Sequence, residues 1–146
     1  MQLESKAETL NDPNALADRY VAVWNEANGD VRRGAIRELW TEDGAQIPQP
    51  PQEIRNAAAE LGLDANLVAR GHVALEARVT RAHDDFVAPG EFIFRRRANV
   101  IRLHDVVKFN WEMVRKGTGD VAGVGLEFLV LGADGRIRID YQFIES

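Results

Sequence analysis

Proton chemistry in this chain would have to come from carboxylates, and Glu127, Asp140 and Gln142 are the polar residues placed to organise it. General acid–base catalysis needs one positioned proton carrier whose pKa is tuned to the task. Cysteine is absent, which excludes disulfides, thiolate nucleophiles and thiolate metal sites. His72, His83 and His104 are widely separated and form no HExxH-like spacing, so neither a metal nor an organic cofactor is expected.

A hairpin is what brings the three polar residues together. Val106–Arg115, Val121–Leu131 and Arg136–Glu145 each alternate apolar and polar residues and are rich in Val, Ile, Phe, Trp and Tyr, the pattern of half-buried strands. Asp134-Gly135 is a two-residue hairpin signal, and Lys116–Asp120 is a longer Gly-containing loop. Counting outward from Asp134-Gly135 pairs Leu131 with Arg138, Leu129 with Asp140 and Glu127 with Gln142. The opposite face pairs Val130 with Ile139, Phe128 with Tyr141 and Leu126 with Phe143. The first face is mixed, with Leu129, Leu131 and Ile144 around the polar cluster; the second is wholly apolar or aromatic. Phe109, Trp111 and Met113 are expected to extend the apolar face along a third strand.

Helices must position this sheet. Asp12 caps a first helix with Pro13 in its first turn, and Leu16, Tyr20, Val23, Trp24 and Ala27 form one face. Asn28-Gly29 ends it and Asp30 caps a second helix, whose face is Ile36, Leu39 and Trp40. Glu42-Asp43-Gly44 stops that helix, leaving Ala45–Ile47 as a short strand. Pro48, Pro50 and Pro51 stiffen the next stretch, and Gln52–Leu61 reads as a third helix. The last helix, Gly71–Ala88, should bury Val73, Ala74, Ala77, Val79, Ala82 and Phe86 before Pro89-Gly90 ends it. Phe92–Asn99 starts the sheet and turns near Leu103–Asp105. Helices followed by an antiparallel meander argue α+β, with the helices on one face.

With 146 residues the chain is long enough for one domain, residues 1–146, and residues 1–10 read as a flexible lead-in. Apolar residues make up 45% and the net charge is −5 with both signs interleaved, which argues against a nucleic-acid partner. Arg95-Arg96-Arg97 alternates faces in a strand-like run and reads as a solvated edge rather than a phosphate site. No signal-like or membrane-spanning apolar run occurs, so a cytoplasmic protein without a membrane partner is expected.

Asp18–Asn25, Glu38–Gly44, a Gly71-led helix, His104–Trp111 and Asp134–Ile137 occur in an order and spacing that resembles the nuclear transport factor 2-like superfamily and, within it, the SnoaL-like branch. The resemblance spans roughly residues 12 to 145, close to a whole domain. It implies a cystatin-like cone: a curved antiparallel sheet with the N-terminal helices packed on its concave face around a pocket. The superfamily contains isomerases, cyclases, epoxide hydrolases, dehydratases and binding proteins, so the fold leaves the chemistry open.

Residue by residue, Arg19-Tyr20-Val21-Ala22 matches the stretch in which ketosteroid isomerase carries its oxyanion-binding Tyr, and the protonated carboxylic acid of that enzyme falls on Glu127. The place of its general base holds Pro48-Gln49-Pro50, so this chain is not a ketosteroid isomerase. An epoxide-hydrolase triad would need Arg102, Asp105 and Asp140, which do not align with it.

The resemblance therefore implies Glu127, Tyr20 and Asp140 as catalytic candidates, with Trp24, Trp40, His72, Asn110 and Gln142 as ligand contacts. Plainer readings stand beside these: Tyr20 and Trp24 as core at helical spacing, Trp40 and Trp111 as core or interface, His72 as a helix-start residue. The expected function is binding of a small, largely apolar molecule, with acid/base chemistry of the cyclase, isomerase or hydratase kind. The alternative is a non-catalytic binding or interaction module. A homodimer through the convex sheet face is expected.

Overall fold

The hairpin at Asp134-Gly135 closes the long strands as its residues require. Gly135 takes φ +83°, and Asp134 accepts from the Arg136 backbone N–H at 3.0 Å and from its guanidinium at 2.7 Å. In this computed structural model, which describes residues 12–145, the expected lead-in over residues 1–10 lies outside the described residues. Helices α1 (Pro13–Asn25), α2 (Gly29–Leu39), α3 (Gln52–Glu60) and α4 (His72–Ala82) accompany seven strands. These are β1 (Trp40–Pro48), β2 (Ala69–Arg70), β3 (Phe92–Arg96), β4 (Ile101–Leu103), β5 (Val106–Arg115), β6 (Val121–Leu131) and β7 (Ile137–Glu145).

The sheet runs β2-β1-β7-β6-β5-β3, with β4 added against β5. It is mixed rather than wholly antiparallel, because β1 lies parallel to β7. Glu127 faces Gln142, Leu129 faces Asp140, and Phe128, Val130 and Leu126 face Tyr141, Ile139 and Phe143, as counted from the turn. Only the turn-proximal pair departs: a bulge sets Leu131 opposite Ile137 in place of Arg138. Ile137 is thereby fully buried and Arg138 exposed, whereas the uninterrupted count would have aimed a guanidinium at the core.

Strand β5 corrects a second expectation. Phe109 pairs with Glu127, Trp111 with Gly125 and Met113 with Gly123, so these side chains share the concave face with Glu127 and do not extend the opposite one. The concave face needs bulk beneath the helices, and the two glycines of β6 make room for it. On the convex side β5 offers Val106, Lys108, Asn110 and Glu112.

Strand β1 is longer than Ala45–Ile47. Trp40, expected on the second helix, is its first residue, and Glu42–Gly44 lies within it at a register shift between Trp40 and Ala45. A Cβ at Gly44 would lie 2.9 Å from Trp40 Cδ1 and 3.0 Å from a carbonyl oxygen, so this close crossing requires glycine.

Asp12 caps α1 as expected, whereas Asn28, not Asp30, caps α2, accepting from the N–H groups of Asp30 and Val31. Helix α4 buries Leu75 and Val79 while Val73 and Ala77 face outward, so the expected face is rotated. It ends in a π turn, His83–Val87, that turns Phe86 towards the sheet and Phe92. Leu16, Ile36, Leu39, Trp40, Leu75, Phe109 and Leu129 form the core between α1, α2, α4 and the concave face. Arg95 and Arg97 pair with Glu112 and Arg96 with Asp18 along edge strand β3. No helix among the described residues is long and apolar enough to cross a membrane.

Candidate active site

Helix α1 and the concave sheet enclose a cavity of about 290 Å³. Its walls are Val21, Trp24, Phe86, Phe94, Trp111 and Met113, and its polar residues are Tyr20 and Gln142. Tyr20 and Trp24 sit four residues apart on α1, so both rings face the sheet, with centroids 6.0 Å apart. Phe94 from β3 meets Trp111 edge-on at 5.5 Å.

Behind this wall lies a buried polar network. The Tyr20 hydroxyl donates to Asp140 Oδ2 at 2.6 Å. Gln46 Nε2 donates to the same oxygen at 3.4 Å and to Gln142 Oε1 at 3.1 Å. Trp111 Nε1 donates to Glu127 Oε1 at 2.7 Å. Glu127 and Asp140 are both fully buried. Glu127 Oε2 and Asp140 Oδ1 are buried without a hydrogen-bond partner among the described residues, and each carboxyl alters the proton affinity of the other. A proton carried by Glu127 and turned towards Asp140 would satisfy both oxygens at once.

Electrostatics give the same assignment. Burial holds the Glu127 carboxyl well above the usual range, and the Asp140 charge and the hydrogen bond donated to Asp140 add to it; the Trp111 and Tyr20 donors offset part of this. Burial also raises Asp140, but donors from Glu127, Tyr20 and Gln46 and the Arg78 charge pull it back. Two adjacent carboxyls with unequal environments separate into an acid and a base, with Glu127 the protonated partner. Burial first, and then the Asp140 charge, push the Tyr20 phenol well above its usual value, so it remains a donor.

The structure thus brings Tyr20, Glu127, Asp140 and Gln142 into one network, with Glu127 one layer behind the cavity surface, beneath Trp111. Trp24 lines the cavity. Trp40 is fully buried under the Tyr20 ring, 5.7 Å between centroids. His72 is tied through Nε2 to the Trp40 carbonyl oxygen at 2.9 Å and does not line the cavity. Asn110 lies on the convex face, bonded to Asn99, the Gly125 carbonyl and Glu145, because β5 alternates from Phe109 inward.

Gln46, Arg78 and the donor role of Trp111 escape a reading of the sequence. Gln46 lies on a strand beside Gln142 only because β1 runs parallel to β7, a pairing of distant segments. A polar residue between Ala45 and Ile47 on an otherwise apolar short strand was its one local signal.

Among the described residues no group of His, Asp and Glu is arranged to hold a metal ion. Neither a protein-family model nor a curated protein matches the sequence. Solved structures do. A SnoaL-like family protein from Agrobacterium tumefaciens superposes with TM-score 0.74 at 19% identity, over 92% of this chain and 97% of that one. A nuclear transport factor 2-like protein with a cystatin-like fold from Novosphingobium aromaticivorans gives 0.61 at 18%, over 97% and 87%. A phenazine biosynthesis-related protein from Pseudomonas aeruginosa gives 0.53 at 17%, over 98% and 85%. At these identities the likeness is one of architecture: the chain has the cystatin-like, nuclear transport factor 2-like cone of SnoaL-like proteins.

Proposed function

We propose that this protein binds a small, largely apolar molecule in the cavity and moves a proton on it, in chemistry of the isomerase, cyclase or hydratase kind. The observation that carries this reading is Tyr20, which lines the cavity and donates its hydroxyl proton to Asp140 in a buried site. A proton leaving the ligand can pass to the Tyr20 oxygen as the Tyr20 proton passes to Asp140, and the reverse transfer returns it to another ligand atom. Asp140 is the base and Tyr20 the conduit; Glu127 sets the charge of Asp140 through the proton it donates. Fold relatives named as a candidate isomerase and as phenazine biosynthesis-related lend a precedent for small-molecule chemistry. The same reading places the protein in the cytoplasm, as a homodimer through its convex sheet face, bound to neither nucleic acid nor membrane.

The test uses acetonaphthone, whose methyl protons exchange with solvent deuterium when a base acts on them. Binding should shift the Trp24 and Trp111 indole proton resonances, and the exchange should be accelerated by the wild-type protein and lost in Asp140→Asn. Unshifted indole resonances with this probe and with ethylnaphthalene would overturn the cavity reading. Binding without faster exchange across a set of aromatic ketones would place the protein among binding modules.

A further inference from the structure

The donors and acceptors around Gln142 can be assigned from chemistry alone. Arg78, on α4, carries a guanidinium that only donates. One of its nitrogens donates to the Leu67 carbonyl oxygen, and Nη1 donates to the Gln46 side chain at 3.4 Å. The Gln46 atom that receives it must be the amide oxygen. The Gln46 amide nitrogen then points to the other side, where Asp140 Oδ2, the Tyr20 oxygen and the Gln142 amide lie. A nitrogen donor there requires the Gln142 oxygen to face it, at 3.1 Å. The Gln142 amide nitrogen is left over, without a partner among the described residues, on a side chain that lines the cavity. A chain of three side chains beginning at an obligate donor thus fixes the orientation of the last amide.

The rest of the cavity wall narrows the choice further. Among the described residues no Lys, Arg or His lines it, and the Glu127–Asp140 pair with its negative charge lies directly behind it. An anionic ligand would meet repulsion with no counter-charge on the wall, since the Arg78 guanidinium lies behind Gln46 and is already opposed by Asp140. The donor hydrogens of Gln142 need an acceptor, because a polar group left unmatched in an apolar site costs affinity. Tyr20, whose own proton is committed to Asp140, offers its oxygen a short distance along the same wall.

From this geometry we infer that the ligand is a neutral carbonyl compound whose oxygen is held by the amide N–H groups of Gln142, with Gln46 and Arg78 as the positioning residues that fix that amide. The carbonyl oxygen on Gln142 places the adjacent carbon towards Tyr20, where the proton transfer proposed above takes place. A hydrogen bond to the oxygen stabilises the negative charge that develops there when that carbon loses a proton. The inference rests on that functional reading and gives it a substrate class.

Three matched probes separate the two ideas: acetonaphthone, ethylnaphthalene and naphthoate, which share a ring system and differ in the polar group. Dissociation constants are measured for wild type, Gln142→Met and Arg78→Leu, with Arg78→Lys as the conservative variant and circular dichroism as a check on the fold. Wild type should bind the ketone about tenfold more tightly than the hydrocarbon, the effect of one hydrogen bond, and should reject the carboxylate. Gln142→Met should bind ketone and hydrocarbon alike. Arg78→Leu should lose most of the ketone preference and Arg78→Lys should restore it.

The infrared carbonyl stretch of bound acetonaphthone gives a second readout on wild type alone. It should move to lower frequency than in hydrocarbon solvent. Equal binding of ketone and hydrocarbon by wild type, or an unshifted stretch, would overturn the carbonyl assignment while leaving the apolar-cavity reading intact. Retention of the ketone preference in Gln142→Met would overturn the role of Gln142. Failure of every probe to bind would remove the cavity reading and this inference with it.

Discussion

Replacing Glu127 by Gln isolates the proton shared between the two carboxyls. The substituted amide keeps an oxygen to accept from Trp111 Nε1 and supplies an N–H towards Asp140, so it imitates the protonated acid permanently. A carboxyl whose folded pKa is raised binds its proton more tightly folded than unfolded. Stability is then full below the unfolded value and falls as pH rises through the folded one, since the folded state holds more protons over that window. Both Glu127 and Asp140 are shifted in this direction. Urea denaturation should therefore show wild type losing stability as pH rises above the ordinary carboxylate range, and Glu127→Gln losing markedly less. Parallel pH profiles for the two proteins would mean that Glu127 is ionised in the fold. Tyr20→Phe is the companion change. It leaves Asp140 Oδ2 with only the long Gln46 contact, and should cost about 1–3 kcal/mol in the same measurement. The pairing of Glu127 with Gln142 and of Leu129 with Asp140 was legible in the sequence because the turn residues and a period of two bracket the register locally. The turn itself is one residue longer, closed between Gly132 and Arg136, and the bulge at Arg138 restores the counted pairs. The orientation of Gln46 was not, because it depends on Arg78 and on a strand 96 residues from it in the chain, where its neighbour Gln142 sits.

At the scale of elements, β6 and β5 act as a matched pair in which glycine opposite an aromatic ring makes the site. A Cβ on Gly125 would fall 2.1 Å from the Trp111 ring, so the indole lies over the strand only because that position has no side chain. Gly125→Ala should drive Trp111 off Glu127 and off Phe94, costing about 1–3 kcal/mol and shifting tryptophan fluorescence to longer wavelength. Gly123→Ala is the control. Its Cβ would meet only the flexible Met113 side chain, at 3.9 Å, and should change neither readout appreciably. Equal effects from the two substitutions would show that strand glycine itself, and not the space above Gly125, is what matters. The helix-to-strand switch at Trp40 and the rotated face of α4 escaped the sequence for a related reason. Both are set by what the sheet presents: Trp40 is needed under Tyr20, and α4 turns Arg78 inward to Gln46 while Val73 goes to solvent. Apolar periodicity alone favours the opposite choice at each.

At the scale of the whole molecule, the convex face of the sheet carries an exposed apolar patch. Phe128 and Phe143 pack edge-on at 5.7 Å, and with Val106, Val130 and Tyr141 they line a shallow apolar groove. Tyr141 and Phe143 are 37% and 44% exposed, and among the described residues the helices packed on the sheet lie on the other side. The patch is narrower than the sequence suggested, since β5 contributes Lys108, Asn110 and Glu112 to it and not Phe109, Trp111 and Met113. That change favours a specific contact over general stickiness: an apolar centre on β6 and β7 with a polar border on β5 has the composition of a protein interface. An isologous pair needs one self-complementary surface, and about 800 Å² per partner is the usual requirement for a stable one. Sedimentation at micromolar concentration should give about twice the chain mass of 16.3 kDa. Phe143→Lys should halve that mass and leave the Tyr20–Asp140 network, on the opposite face, able to bind an apolar probe. A wild-type protein sedimenting as a monomer would mean that the face is solvated as it stands, and the dimer would be withdrawn without touching the cavity.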